Sequence, residues 1–474
     1  MPRWVVLLAT TACLYISGCK SGQSPDSKNI ILISLDTVRA DRLGAWGNTR
    51  SLTPNLDRFA AESVVFDQAF SQSNETLYSH ASLFTSGYPS ELSPLDAGFS
   101  VPKDVPLLAE VLANYGFQTA GFVAGGHMAS RFGLSRGFGV YDDTADWGSL
   151  LQTGKSALTF IDKRDSQAPL FLFVHGYDAH DRYLKPTPFG YAFADPNYSG
   201  IGGDIVRWRS AVMGIADGIF PRAGEPLIHL TQSRTRFEYG RGLGQMARNA
   251  RPLLAEDDQH IADVYDGAIA YADMAFGLFM AGLSERGLLE SSTIVVFSDH
   301  GEGLGEQGVY SHRLLLDDST LHVPLMIRPA GGTTGHREPG LVELIDVLPT
   351  ILAWAGAQLP AGARGHSLAQ MVRADAPLNA ESPASGAEGS FANGRKAAFS
   401  ESGLRMVSGR GPTTRVTCEG ISVDNPLLAG LIAGLPIGGV SLRYSGDAEG
   451  APAVRDAMVA WRHDLILPRV DPGR

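Results

Sequence analysis

Three unbroken apolar runs constrain the fold of this chain more than any other feature: Asn29-Ile-Ile-Leu-Ile-Ser-Leu35, Pro169-Leu-Phe-Leu-Phe-Val174 and Thr293-Ile-Val-Val-Phe297. A strand with one wet face alternates polar and apolar residues. These runs do not, so each predicts a strand buried on both faces of a parallel sheet. Helical spacing lies between them. Pro54–Ser63 starts with Thr53-Pro54 and leads into strand-like Val64–Phe66, and Pro106–Tyr115 is stopped by Gly116 ahead of a strand over Phe117–Val123. A long stripe of Ile261, Tyr265, Ile269, Ala272, Phe276, Met280 and Leu283 marks one more helix. Alternating β and α predicts an α/β fold with a large, mostly parallel central sheet flanked by helices. With 474 residues, 44% of them hydrophobic, the chain can bury one large core and a small appended one.

In open α/β sheets ligands bind at the carboxyl ends of the strands, so the polar residues after each run are the ones to inspect. They are Asp36-Thr37, then Asp178-Ala-His180, then Asp299-His300-Gly301-Glu302 with His312 close behind; Asn74-Glu-Thr76 with Ser79-His80 forms a fourth cluster. Any one alone has an ordinary structural explanation, such as Asp36 capping a helix. Carboxylates and imidazoles converging from separate strands are what a divalent cation requires, since each buried charge must otherwise be paired.

The net charge of −11 includes no basic tract, which excludes nucleic acid as the expected partner and means that an anionic substrate needs a local cation. At the amino end, Arg3, an apolar stretch from Trp4 to Ile16, and Ile16-Ser17-Gly18-Cys19 read as a lipoprotein signal over residues 1–18, with Cys19 lipidated and residues 19–28 as a tether. Lys20 is not aspartate, which points to the outer membrane of a diderm envelope. The apolar stretch is too short to span a bilayer, and no later stretch is expected to do so. Cys13 leaves with the signal, so only Cys418 remains and no internal disulfide is expected. The catalytic unit is expected over 29–373 with an insertion at about 184–259, followed by an Ala/Ser/Gly/Pro linker over 374–394 and a small α+β subdomain over 395–474.

The blocks NIILISLDTVRADRLGAWG, TPNLDRFAAESVVFDQAF, ASLFTSGYPS, PLFLFVHGYDAHDRY, TIVVFSDHGEGLGEQG, SHRLLLDDSTLHVPLMIRP and ELIDVLPTILAWAG closely resemble, in family order, the sulfatase family of the alkaline phosphatase superfamily. The resemblance implies a metal held by Asp36, Asp299 and His300, with His180 contacting the substrate's oxyanion. Three departures accompany it. The family's C-x-P-S-R segment, whose cysteine or serine becomes formylglycine, reads Thr76-Leu-Tyr-Ser-His80, so no formylglycine is expected and His80 replaces the arginine. Where many sulfatases place G-K-W-H, this chain has Val123-Ala124-Gly125-Gly126, with His127 one residue further on. The second aspartate of the family's pair is Thr37.

A metal-bound threonine hydroxyl can still attack, and phosphate-transferring relatives resemble this chain in having a threonine at that place. The resemblance therefore implies one divalent cation on Asp36, Thr76, Asp299 and His300, with manganese or zinc favoured over magnesium or calcium because a histidine is among the ligands. Thr76 is the expected nucleophile, His180 and His312 the groups stabilising charge, and Arg39, His80 and His127 weaker candidate substrate contacts. Hydrolysis or transfer at a phosphate mono- or diester is the first expectation. Sulfate-ester hydrolysis on a glycan or small ester is the second, and a non-catalytic lipoprotein binding anionic glycans the third.

Overall fold

In the computed structural model of the protein, the described residues are 29–92, 100–165, 167–180, 183–200, 202, 254–306, 310–312 and 316–372. Beyond them the backbone of 398–401, 406–410, 414–419 and 441–446 is described. The lipobox and Cys19, the linker over 374–394, Cys13 and most of the expected insertion lie outside the described residues.

Eight strands build the central sheet: β1 Asn29–Leu35, β2 Val64–Phe70, β3 Gln118–Phe122, β4 Val140–Asp142, β5 Leu170–Gly176, β6 Ser292–Phe297, and, after a small two-stranded ribbon of β7 Gly303–Leu304 and β8 Tyr310–Ser311, β9 Leu325–Arg328 and β10 His336–Glu343. Their order is β10-β2-β9-β6-β1-β5-β3-β4. All neighbours are parallel except β9, which runs antiparallel to both β2 and β6. The three apolar runs are β1, β5 and β6, adjacent at the centre of the sheet.

Each central strand is buried along its whole length. The two-residue period divides its side chains between two cores. Ile31, Ile33, Leu172, Val174, Ile294 and Val296 pack on one face. They meet helices α1 Pro54–Ala60, α4 Leu150–Ile161 and α5 Ala255–Glu285. Ile30, Leu32, Phe171, Phe173, Val295 and Phe297 pack on the other, against α2 Thr76–Thr85, α3 Leu108–Asn114 and α6 Val347–Trp354.

Boundaries shift where side chains take over the backbone hydrogen bonds. The helix expected from Pro106 begins at Leu108, because the Leu107 amide donates to the Glu110 carboxylate at 2.9 Å. It ends before Gly116, whose φ of +85° is the left-handed stop the sequence implied. In α5 Met280 is only half-buried, and Phe279 takes the buried place. By length and composition α5 could cross a membrane, contrary to the expectation that no later stretch would. It is instead a core helix, with Asp266 and Asp273 buried on ion pairs and hydrogen bonds to Arg42, Arg50 and Asn55. In the carboxyl part, β11 Ala398–Glu401, β12 Met406–Arg410, β13 Thr414–Glu419 and β14 Ser441–Gly446 form an antiparallel sheet in that order.

Candidate metal centre and active site

Parallel pairing brings the ends of the three central strands level. Ser34 of β1 lies between His175 of β5 and Phe297 of β6, so Asp36 and Asp299 emerge side by side. Asp36, Asp299 and His300 are fully buried, and one ligating atom from each lies within 4.8 Å of the others. Thr76 opens α2 at the same point. Its Oγ1 is 3.2 Å from Asp36 Oδ2 and 3.3 Å from His300 Nε2.

Local backbone geometry aims these groups. Thr37 adopts φ +58°, a costly conformation for a β-branched residue, and turns its amide onto Asp299 Oδ1 at 3.2 Å. The His300 amide reaches the same oxygen at 2.9 Å. Tyr265 of α5 fixes the turn, its hydroxyl donating to Thr37 O at 2.6 Å and accepting from the Arg39 amide at 3.2 Å. His300 Nδ1 donates to Gly301 O at 2.9 Å, which leaves the Nε2 lone pair to bind a cation. Close packing makes Gly301 obligatory, since a Cβ there would sit 2.0 Å from Ser319 O.

The donor set fits a divalent cation on an internal criterion. Asp36 Oδ1 and Asp299 Oδ2 are buried and have no hydrogen-bond partner among the described residues. Burial and the neighbouring Asp299 charge hold the Asp36 carboxyl well above the usual carboxylate range. A cation between them relieves both the desolvation and the repulsion.

The sequence reading missed His175. Its Nδ1 accepts from the Ala124 amide at 3.4 Å, so Nε2 carries the proton and donates to Asp36 Oδ2 at 3.2 Å. Burial drives its pKa well below the ordinary value and keeps the ring neutral. A histidine at the end of an apolar run reads as core packing, and only the strand register shows that it faces Asp36.

Two expected substrate contacts are corrected. His80 is fully buried beneath the site, with Nδ1 donating to Thr76 O at 2.8 Å and Nε2 accepting from Ser34 Oγ at 2.9 Å. It supports the start of α2 rather than the substrate. Arg39 is also buried, its guanidinium engaged by Asp41 at 2.7 Å, Glu306 at 2.6 Å and Glu302 O at 2.9 Å. It holds the loop that follows Asp299. Asp178 likewise turns away from the site, its Oδ2 accepting from the Leu150 amide at the start of α4 at 2.7 Å.

His180 and His312 do come together with the metal residues. The His312 ring lies 4.3 Å from that of His300 and 5.3 Å from that of His180. Glu302 Oε1 is 3.3 Å from His312 Nδ1, and Asn74 Nδ2 holds the His312 carbonyl at 2.6 Å. His127 is set further out, its ring 5.8 Å from Trp147, which in turn is 5.4 Å from His180.

A family model described as sulfatase matches residues 28–357. The chain belongs to the sulfatase family. It is an ester hydrolase of the alkaline phosphatase superfamily. A relative, N-acetylglucosamine-6-O-sulfatase of Bacteroides thetaiotaomicron, is 23% identical over 418 residues, covering 76% of this chain and 74% of its own. Among solved structures, one in complex with its substrate D-glucosamine-2-N,6-O-disulfate superposes with a TM-score of 0.64 at 18% identity, over 94% of this chain and all of the other. The phosphonate monoester hydrolase of Silicibacter pomeroyi gives 0.62 at 19% identity, over 93% and 95%. Most relatives are sulfatases, so they favour sulfate over the phosphate esters that Thr76 had placed first.

Proposed function

We propose that the protein hydrolyses sulfate monoesters of a glycan or small alcohol, with Thr76 as nucleophile. The observation that carries the nucleophile is the Thr76 hydroxyl, within 3.3 Å of both Asp36 and His300 in a buried set whose carboxylate oxygens lack partners among the described residues, and the likeness to sulfatases supports sulfate as its target. Asp36, Asp299, His300 and Thr76 Oγ1 would hold one divalent cation, with manganese or zinc favoured by the nitrogen ligand. When bound, the cation supplies charge neutralisation and lowers the hydroxyl's pKa. The remaining chemistry belongs to the chain. Thr76 Oγ1 passes its proton to Asp36 Oδ2, 3.2 Å away, as it attacks sulfur, the bond from sulfur to the leaving oxygen breaks, and an imidazolium at His180 or His312 protonates that oxygen. Glu302 Oε1, 3.3 Å from His312 Nδ1, orients that ring. Water then attacks sulfur and gives a proton to the imidazole left neutral by the first step, the bond from sulfur to Thr76 Oγ1 breaks, and that oxygen recovers its proton from Asp36, which His175 keeps in place throughout.

A second reading, hydrolysis of phosphate or phosphonate esters, is favoured by the threonine itself and by likeness to a phosphonate monoester hydrolase. The test is turnover of p-nitrophenyl sulfate, p-nitrophenyl phosphate, bis-p-nitrophenyl phosphate and p-nitrophenyl phenylphosphonate with several divalent cations. Thr76→Ala should abolish turnover. Thr76→Ser should lose about tenfold to a hundredfold, because serine lacks the methyl group that restricts the rotamer. A Thr76→Ala protein that retains the wild-type rate overturns the mechanism, and sulfate turnover below that of the phosphorus esters reverses the choice of substrate.

A further inference from the structure

Trp147 is a bulky residue in the left-handed backbone region, with φ +50°. Such strain persists only where the surroundings impose it, and it concentrates where a side chain must be presented. The surroundings here are tight. The Gly148 amide donates to Ala124 O at 3.3 Å, and the Tyr177 amide to Gly148 O at 2.9 Å. Gly125 completes the seat, since a Cβ on it would lie 3.1 Å from Asp143 O and 3.2 Å from Asp146 Cα. The glycines at this turn therefore let the 143–148 loop close onto the end of β5.

What the loop presents is an aromatic wall running to the metal residues. The Trp147 indole packs 4.8 Å from the Tyr177 ring and 5.4 Å from that of His180. His180 leads to His312 at 5.3 Å, and His312 to His300 at 4.3 Å. Trp147, His127 and His180 are half-buried, whereas Tyr177, His312 and His300 are buried, so the wall descends from the surface to the reacting centre. Arg39, the one arginine among the candidate contacts, is consumed by Asp41 and Glu306.

We infer that Trp147 is the stacking platform for the leaving group, and that the preferred esters carry their anionic group on a ring, either a pyranose or an aryl ring. This rests on the ester-hydrolase reading only for where the anion sits. An indole face gains from a flat aryl ring by stacking, and from the apolar face of a sugar by dispersion.

The test uses stable sulfonates and the full chain as purified. Calorimetry would measure binding of p-toluenesulfonate (aryl ring), 6-deoxy-6-sulfoglucose (pyranose) and methanesulfonate (no ring) to wild type, Trp147→Phe and Trp147→Asn. Wild type should prefer one or both ring ligands over methanesulfonate by about tenfold, and which one identifies the ring. Trp147→Asn should erase that preference and Trp147→Phe keep most of it. Asparagine tolerates the left-handed region, so the Asn variant should lose only the ring packing and still melt in one cooperative transition, and the loss of preference is then not one of folding. A wild type without ring preference, or a preference that survives Trp147→Asn, overturns the assignment. Turnover of p-nitrophenyl sulfate separates the two readings. An active enzyme without ring preference sinks only the platform, and a protein inert on p-nitrophenyl sulfate that still prefers ring sulfonates through Trp147 sinks only the sulfate-ester reading.

Discussion

Tyr265→Phe removes one oxygen atom from a helix that contributes no metal ligand, yet its consequence should reach the metal. The Tyr265 hydroxyl is the hydrogen-bond partner of two buried backbone groups, Thr37 O at 2.6 Å and the Arg39 amide at 3.2 Å. Phenylalanine fills nearly the same volume, so packing is unchanged and both groups are left unsatisfied. At about 1–3 kcal/mol for each of the two buried orphans, the variant should lose about 2–6 kcal/mol. With a urea m-value near 3 kcal/mol/M the midpoint falls by about 1–2 M, and the slope stays constant because the surface exposed on unfolding is the same. The same loss frees the Thr37 turn, which sits at φ +58° and orients both Asp36 and the amide on Asp299. Relaxation of that turn should weaken metal binding about tenfold, the low end for disturbing a group that orients a ligand. Urea unfolding of the metal-free protein gives the first number, and competition against a chelating dye gives the second. A variant with both the midpoint and the metal dissociation constant of wild type refutes the claim that Tyr265 holds the turn.

Asp36→Asn and Asp299→Asn should each reduce metal affinity by orders of magnitude, measured as metal content after dialysis, and full occupancy in either variant would displace the site. Asp178 gives a pH signature. Burial raises its carboxyl to about 6 in the folded protein, so the stability held by the protonated form is present below pH 4 and is lost as pH rises to about 6. Asp178→Asn can still accept from the Leu150 amide. It should therefore match wild type near pH 4 and exceed it by about 3 kcal/mol at pH 8, and parallel stability curves across that range would contradict this. Cys19→Ala should move the protein from the detergent phase to the aqueous phase on partitioning, and a wild-type protein already in the aqueous phase removes the anchor.

The centre of the fold was legible because its signal is local. Three apolar runs identified β1, β5 and β6 and the polar residues behind them, and the resemblance to the sulfatase family narrowed those to Asp36, Asp299 and His300, which lie together in the structure. Thr76 followed from its place in the segment that matches the family's C-x-P-S-R. What remained hidden depends on contacts remote in sequence. His80 and Arg39 read as cations near a site, and only three-dimensional placement shows their nitrogens bound to Thr76 O, Ser34, Asp41 and Glu306. His175 was invisible for the opposite reason, since an apolar neighbourhood disguised a residue that holds Asp36. Trp147 gave no sign in sequence, because positive φ in a non-glycine residue is imposed by packing rather than by local preference.

The level ends of the three central strands have a consequence for how the protein is made. The Thr37 amide bonds to a carboxylate 262 positions later in the chain, so no partial chain can assemble the centre during synthesis. The first of the described strands to leave the ribosome lies inside the finished sheet, and both of its edges must wait for β5 and β6. An unpaired apolar strand is a template for wrong partners, and contacts this remote close slowly. The interval between synthesis of β1 and of β6 is thus the period in which this chain most needs a chaperone, and it is also a period in which it cannot capture metal at this site.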